Sequence, residues 1–154
     1  MALDLASRPA SATSAVIASH VGKQFNDRPV LKDLSLNIEA GEFVALLGKS
    51  GSGKSTFLRL LGALDADVEG TLRVPRRRAI VFQDPRLMPW LSVLRNITIG
   101  LPQTQEVRQR GLATLDEVGL GKHADAWPRT LSGGEAQRAA LARAMVREPQ
   151  LLLL

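Results

Sequence analysis

Gly48-Lys49-Ser50-Gly51-Ser52-Gly53-Lys54-Ser55 decides how this chain is read, because it matches the phosphate-loop pattern G-x-x-x-x-G-K-[ST]. A nucleoside triphosphate is dense negative charge that must leave water, and such a loop meets it with backbone N–H donors. Glycines at 48, 51 and 53 keep side chains away from the phosphates and reach backbone angles that other residues avoid. The helix expected to begin near Lys54 points its positive end at the same place. The pattern assigns Lys54 to the β- and γ-phosphates and the Ser55 hydroxyl to Mg²⁺. Thr56 reaches toward the α-phosphate, while Lys49 and Ser52 contribute mainly backbone. The expected ATP-binding set is thus Gly48, Lys49, Ser50, Gly51, Ser52, Gly53, Lys54, Ser55 and Thr56.

The flanks support this. Phe43-Val44-Ala45-Leu46-Leu47 is a continuous apolar run and predicts a strand buried on both faces. After the loop, Phe57, Leu58, Leu60, Leu61 and Leu64 form a broad apolar helix face. Upstream, Val16–Phe25 and Val30–Ile38 read as strands, separated by turn chemistry at Asn26-Asp27-Arg28-Pro29. Downstream, Thr71–Val74 and Ala79–Phe82 are further strands. The loop Gln83–Trp90 precedes a short helix capped by Ser92. An amphipathic helix over Glu106–Val118 turns Leu112, Leu115 and Val118 inward and stops at Gly119. Ser132–Glu148 is the last helix, ended by Pro149, and Leu151–Leu154 is a final apolar run.

Leu131-Ser132-Gly133-Gly134-Glu135 is a second anion-binding helix start. Ser132 and Glu135 have capping-box spacing, which would explain the pair by itself. With the phosphate loop in the same chain, the sequence resembles the ATP-binding subunits of ABC transporters, where L-S-G-G-[QE] is the signature motif. Gln137-Arg138 and the Ala-rich run Ala139–Ala144 continue the match, which covers Val16 through Leu154. The resemblance implies an α/β P-loop fold with a parallel core sheet, N-terminal antiparallel strands and a helical segment over about 84–145. It implies a head-to-tail dimer in which Ser132, Gly133, Gly134 and Glu135 contact the ATP held by the partner's loop. By the same resemblance Phe25 stacks on adenine, with a core or edge-strand role as the alternative. Gln83 takes the place of the Q-loop glutamine, a catalytic position beside Lys54, and joins Ser55 at Mg²⁺.

The family partners are two membrane-spanning permease subunits, docked at the Asp84–Trp90 loop, and indirectly a solute-binding protein. That places the chain peripherally on the cytoplasmic face of the membrane. Phe82-Gln83-Asp84-Pro85-Arg86-Leu87-Met88-Pro89-Trp90 looks most like importers of nitrate, taurine and aliphatic sulfonates. Trp127-Pro128 and the Arg-rich hairpin point to the sulfonate member. Leu151–Leu154 matches the strand before the Walker B acidic pair, which would follow Leu154. The resemblance therefore implies a domain lacking its C-terminal part and expected to hydrolyse ATP negligibly alone. Two alternatives stay open: a non-hydrolytic nucleotide-binding remnant, and a soluble ABC ATPase of DNA repair or translation.

Composition sets the outer bounds. The 154 residues carry a net charge of +5 and no cysteine, which excludes disulfides and thiolate metal sites. His20 and His123 lack ligand-like spacing, so no protein metal cluster is expected. No apolar run approaches the ~20 residues of a membrane span. Residues 1–15 read as a frayed N-terminal tail, and 16–154 as one incomplete nucleotide-binding domain. Arg76-Arg77-Arg78, without interleaved aromatics, reads as a solvated turn rather than a nucleic-acid patch.

Overall fold

A computed structural model describes residues 14–26 and 28–154. The tail expected over residues 1–15 lies outside the described residues up to residue 13. Ser14 and Ala15 already belong to the first strand. The chain divides into two compact units at Arg76/Arg77.

In the first unit, β1 (Ser14–Phe25) and β2 (Arg28–Glu39) form an antiparallel hairpin with Val21 opposite Leu34. After β2 come α1 (Lys54–Leu61) and β3 (Glu69–Arg73), and β3 pairs antiparallel with β1, Ala18 opposite Leu72. The strand order is β2-β1-β3. Val16, Ala18, Val21, Leu31 and Ile38 are buried from the sheet, and Phe57, Leu60 and Leu61 from α1. Their spacing in α1 is that of one apolar helix face. Leu64, expected on the same face, is exposed. The helix ends at Leu61, and Ala63 at a φ of +51° turns the chain outward.

Phe43–Leu47 departs from expectation. It belongs to no strand among the described residues, and Phe43 and Leu47 are 87% and 83% exposed. A strand exists through pairing of its N–H and C=O groups along its edges. Apolar character alone does not create one, and no described strand lies beside this run in a ladder.

The second unit holds β4 (Arg78–Ile80), α2 (Val93–Ile97), α3 (Gln105–Glu117), α4 (Gly133–Met145) and β5 (Leu151–Leu153). Short 3₁₀ turns lie at Gly121–His123 and Pro128–Thr130. β4 and β5 pair in parallel, Arg78 opposite Leu151, and Val81 N–H extends the pairing by donating to Leu153. A parallel pair needs a crossover, and the helical segment supplies it. The helices share a core of Val93, Leu94, Ile97, Leu115, Leu120, Ala139 and Ala142, with Leu112 and Val118 packed against it. The small alanines let α4 approach its neighbours closely. α4 stops at Met145, short of the expected Glu148, because Pro149 drives the preceding residue off helical angles; Glu148 sits at a φ of +48°. The result is the expected α/β class, with antiparallel N-terminal strands, a parallel pair and a helical segment.

An ion cluster around a buried lysine braces the first unit. Lys23 is 4% exposed, and its Nζ donates to Asp65 Oδ1 at 3.0 Å, Asp67 Oδ2 at 3.1 Å and the Asp67 carbonyl at 2.6 Å. This ties β1 to the segment between α1 and β3. Burial would lower the Lys23 pKa, but the hydrogen bonds and charges of Asp65 and Asp67 outweigh it and raise it above 10.5. The bond from Lys23 holds the Asp65 carboxyl below its usual 3.8, against the opposing effect of burial. The stabilisation is therefore complete between these values. It is lost as pH falls through the depressed Asp65 value or rises through the elevated Lys23 value. Asp65→Asn is expected to lower the urea midpoint at neutral pH, and the difference from the parent chain should close in acid well below pH 3.8. A gap that persists unchanged into acid would exclude the Asp65 charge as its source.

Candidate functional site

The phosphate-loop residues gather around the start of α1. Gly53, the residue preceding the helix, has a φ of +89°. A Cβ there would lie 2.8 Å from Leu31 Cδ2 and 3.0 Å from the Val30 carbonyl, so glycine is required by both angle and space. The helix start receives no side-chain cap, and its first turn carries no acidic residue. Its leading N–H groups are therefore left for an external anion. Ser52 N–H donates to the Lys49 carbonyl at 3.2 Å and closes the turn.

Lys54 folds back over the loop. Its Nζ donates to the Gly48 carbonyl at 2.8 Å, the Lys49 carbonyl at 2.9 Å and Ser52 Oγ at 3.4 Å. The ammonium is thus held over the loop by neutral acceptors, and phosphate oxygens would offer it stronger, charge-assisted bonds. Ser55 is exposed and Thr56 half-buried. Phe25 closes β1 in the same unit, 48% exposed, with Lys23 Nζ 5.1 Å from its ring centroid. The ring is about half exposed, with the Lys23 ammonium near its face.

Gln83 and the second motif belong to the other unit. Gln83 follows β4 in an exposed loop, and three side chains hold that loop by its backbone. Gln137 Nε2 donates to the Phe82 and Gln83 carbonyls at 3.3 and 3.2 Å. Both terminal nitrogens of Arg143 donate onward, to the Arg86 carbonyl at 2.8 Å and the Pro85 carbonyl at 2.6 Å. Asn96, fully buried, accepts from Met88 N–H at 2.6 Å and donates to the Met88, Leu91 and Ser92 carbonyls. Sequence reasoning missed Asn96 and Arg143 as site-shaping residues. A polar residue on the apolar face of a capped helix was the signal available for Asn96. The loop so held exposes Trp90 at 68% and keeps Met88 half-buried.

Ser132 starts α4 with a complete capping box. Its Oγ accepts from Glu135 N–H at 3.3 Å, and its own N–H and hydroxyl donate to Glu135 Oε2 at 2.7 and 2.8 Å. Those two bonds hold the Glu135 carboxyl below its usual 4.5, with His123 and Arg138 adding and burial opposing. His123 Nε2 lies 3.5 Å from Glu135 Oε1. Gly133 has open space where a side chain would begin, so the helix start is approachable. Among the described residues no cluster of three His, Asp or Glu side chains could hold a metal.

A glycine-lined loop feeding an uncapped helix, in a mixed α/β fold with a second glycine-bearing helix start, defines a P-loop nucleotide-binding class. The chain belongs to the ABC transporter family, whose model it matches over residues 31–154. It is 58% identical over 144 residues to an aliphatic sulfonates import ATP-binding protein of Streptomyces avermitilis, SsuB 1, covering 94% of this chain and 55% of that protein. It is 59% identical over 141 residues to SsuB 2 of Paracoccus denitrificans, covering 92% and 57%. The chain therefore spans little more than half the length of these relatives. Among solved structures it is similar to cbiO1 of Clostridium perfringens, part of the ABC transporter complex cbiONQ, with a TM-score of 0.81, 27% identity, and 91% and 64% of the two chains covered. It is also similar to the ATP-binding cassette MJ0796, a dimer bound to ADP and Pi, with a TM-score of 0.75, 32% identity, and 89% and 72% covered.

Removing the loop's central tie tests the arrangement. Asn96→Ala leaves the Met88 and Leu91 backbone groups without their partner and should destabilise the second unit by about 1–3 kcal/mol in urea unfolding. Fluorescence of Trp90, read in a Trp127→Phe background because the chain has two tryptophans, should report the change in the loop.

Proposed function

We propose that this chain is the nucleotide-binding portion of an ABC importer subunit that couples ATP to the uptake of aliphatic sulfonates. The observation that carries the proposal is the start of α1. There an uncapped helix, a glycine whose space is already taken by Val30 and Leu31, and a lysine poised over the loop converge. Relatives named for sulfonate import, similar over more than nine-tenths of the chain, supply the solute class.

Each residue's part follows from its position. The amides of Gly51–Ser55 bind phosphate oxygens, and Lys54 exchanges its bonds to the Gly48 and Lys49 carbonyls for charge-assisted bonds to the β- and γ-phosphates. When bound, Mg²⁺ supplies charge neutralisation between those phosphates. The Ser55 hydroxyl is the side chain of the first unit that would hold it. Phe25 orients the base through its exposed ring. In a head-to-tail dimer Ser132, Gly133, Gly134 and Glu135 approach the nucleotide of the partner subunit, and Ser132 exchanges its bond to Glu135 for one to phosphate. The loop bearing Trp90 meets the permease subunits, a use suited to an exposed aromatic. Such a subunit sits peripherally on the cytoplasmic face; no helix among the described residues is long and apolar enough to cross a membrane.

Two measurements test this reading. Lys54→Ala should weaken Mg-ATP binding by about 100-fold in calorimetric titration, the loss of one or two charge-assisted bonds; unchanged affinity would refute the phosphate-loop assignment. Trp90→Ala should bind Mg-ATP normally yet fail to co-purify with the permease subunits. Retention of that association would move the docking surface elsewhere.

A further inference from the structure

The arginine turn expected from the sequence is exposed at Arg76 and Arg77 and half-buried at Arg78, and it borders a cleft. Arg78, at the start of β4, and Arg77 just before it line a cleft of about 290 Å³ in the second unit, together with Arg110 of α3, Arg147, Leu101 and Pro149. Four arginines from three separate stretches of chain thus border one small space. Two of them are positioned by the surrounding structure. Arg147 donates to the Ile99 carbonyl at 2.6 Å, beside Gly100, whose φ is +73°. A Cβ on Gly100 would come within 3.2 Å of that guanidinium, so glycine there makes room for it. Arg110 is two-thirds buried, and Glu148 approaches it only at 4.0 Å, the outer limit of an ion pair. Its Nε is buried and makes no hydrogen bond. A buried donor without an acceptor is costly in a charged group, and an anion entering the cleft would lower that cost by neutralising the guanidinium to which the nitrogen belongs.

We propose that this cleft is an oxyanion site, separate from the phosphate loop, that takes a small soluble phosphate, phosphomonoester or sulfate. The chemistry selects that class. Guanidinium groups present paired N–H donors that match two oxygens of a tetrahedral anion, and several converging on one space favour a multiply charged one. Leu101 and Pro149 supply an apolar wall against which the carbon part of a phosphomonoester would lie. A nucleic-acid groove would need an extended basic track with stacking aromatics, and no aromatic lines this cleft.

The test uses the full chain carrying Lys54→Ala, so that the phosphate loop contributes least, titrated with inorganic phosphate at constant ionic strength held by chloride. Arginine side-chain NMR reads the cleft directly. The Arg110 Nε resonance should shift saturably with phosphate and with sulfate but not with chloride. Arg110→Gln and Arg147→Gln should each weaken phosphate binding by about tenfold or more, and Arg110→Lys should lose less. Should either Gln variant fail to fold, the resonance titration of the otherwise unaltered cleft still decides. No saturable shift, an equal shift with chloride, or affinity indifferent to both substitutions overturns the proposal. So does binding seen only with vesicles containing phosphatidic acid, which would make the patch a lipid contact instead. The outcome is independent of nucleotide binding, because the readout sits on Arg110 and not on the loop.

Discussion

The conformation of Gly53 governs the first unit. Its left-handed backbone lets the chain turn from an open loop into α1 while pressed against Val30 and Leu31 of β2. A side chain there would have to push the strand away or tilt the helix. The same glycine provides no capping group, so the helix begins with bare N–H donors and no internal anion. Packing and anion attraction are thus two consequences of one missing Cβ. Lys54, next in sequence, closes over the loop through backbone carbonyls and keeps its cation at the helix mouth.

The second unit solves a different problem. The loop after β4 must stay open at the surface yet hold one shape, and it has no ladder of its own. Gln137 and Arg143 of α4 and Asn96 of α2 bond to its carbonyls and to one of its amides. The loop therefore takes its shape from the helices that also form the apolar core. α4 begins at Ser132 and carries Gln137 and Arg143 one and three turns on. The helix that starts at the capping box thus also bonds the Gln83 backbone, through Gln137. The Ser132–Glu135 box satisfies the hydroxyl at that start with the helix's own carboxylate.

Local chemistry was enough for the phosphate loop, for the caps at Ser92 and Ser132, for the stop at Gly119, and for the hairpin pairing of the first two strands. Each depends on residues within a few positions, where hydrogen bonds and backbone angles are decided by type and spacing. The inward face of α3 was legible for the same reason, as was the family resemblance carried by the two glycine motifs. Leu64 was misplaced because a helix face was extended past the point where Ala63 turns the chain.

Only the folded chain settled the rest. Phe43–Leu47 has every local mark of a buried strand, yet a strand is a relation between segments, and this run has no ladder neighbour among the described residues. The bonds of Asn96 and Arg143 to distant carbonyls, the burial of Lys23 between two aspartates, and the meeting of Arg77, Arg78, Arg110 and Arg147 around one cleft join residues far apart in sequence. Charge and polarity at those positions are visible in the amino-acid order. Whether each is solvated, paired or left wanting a partner depends on which neighbours folding brings near.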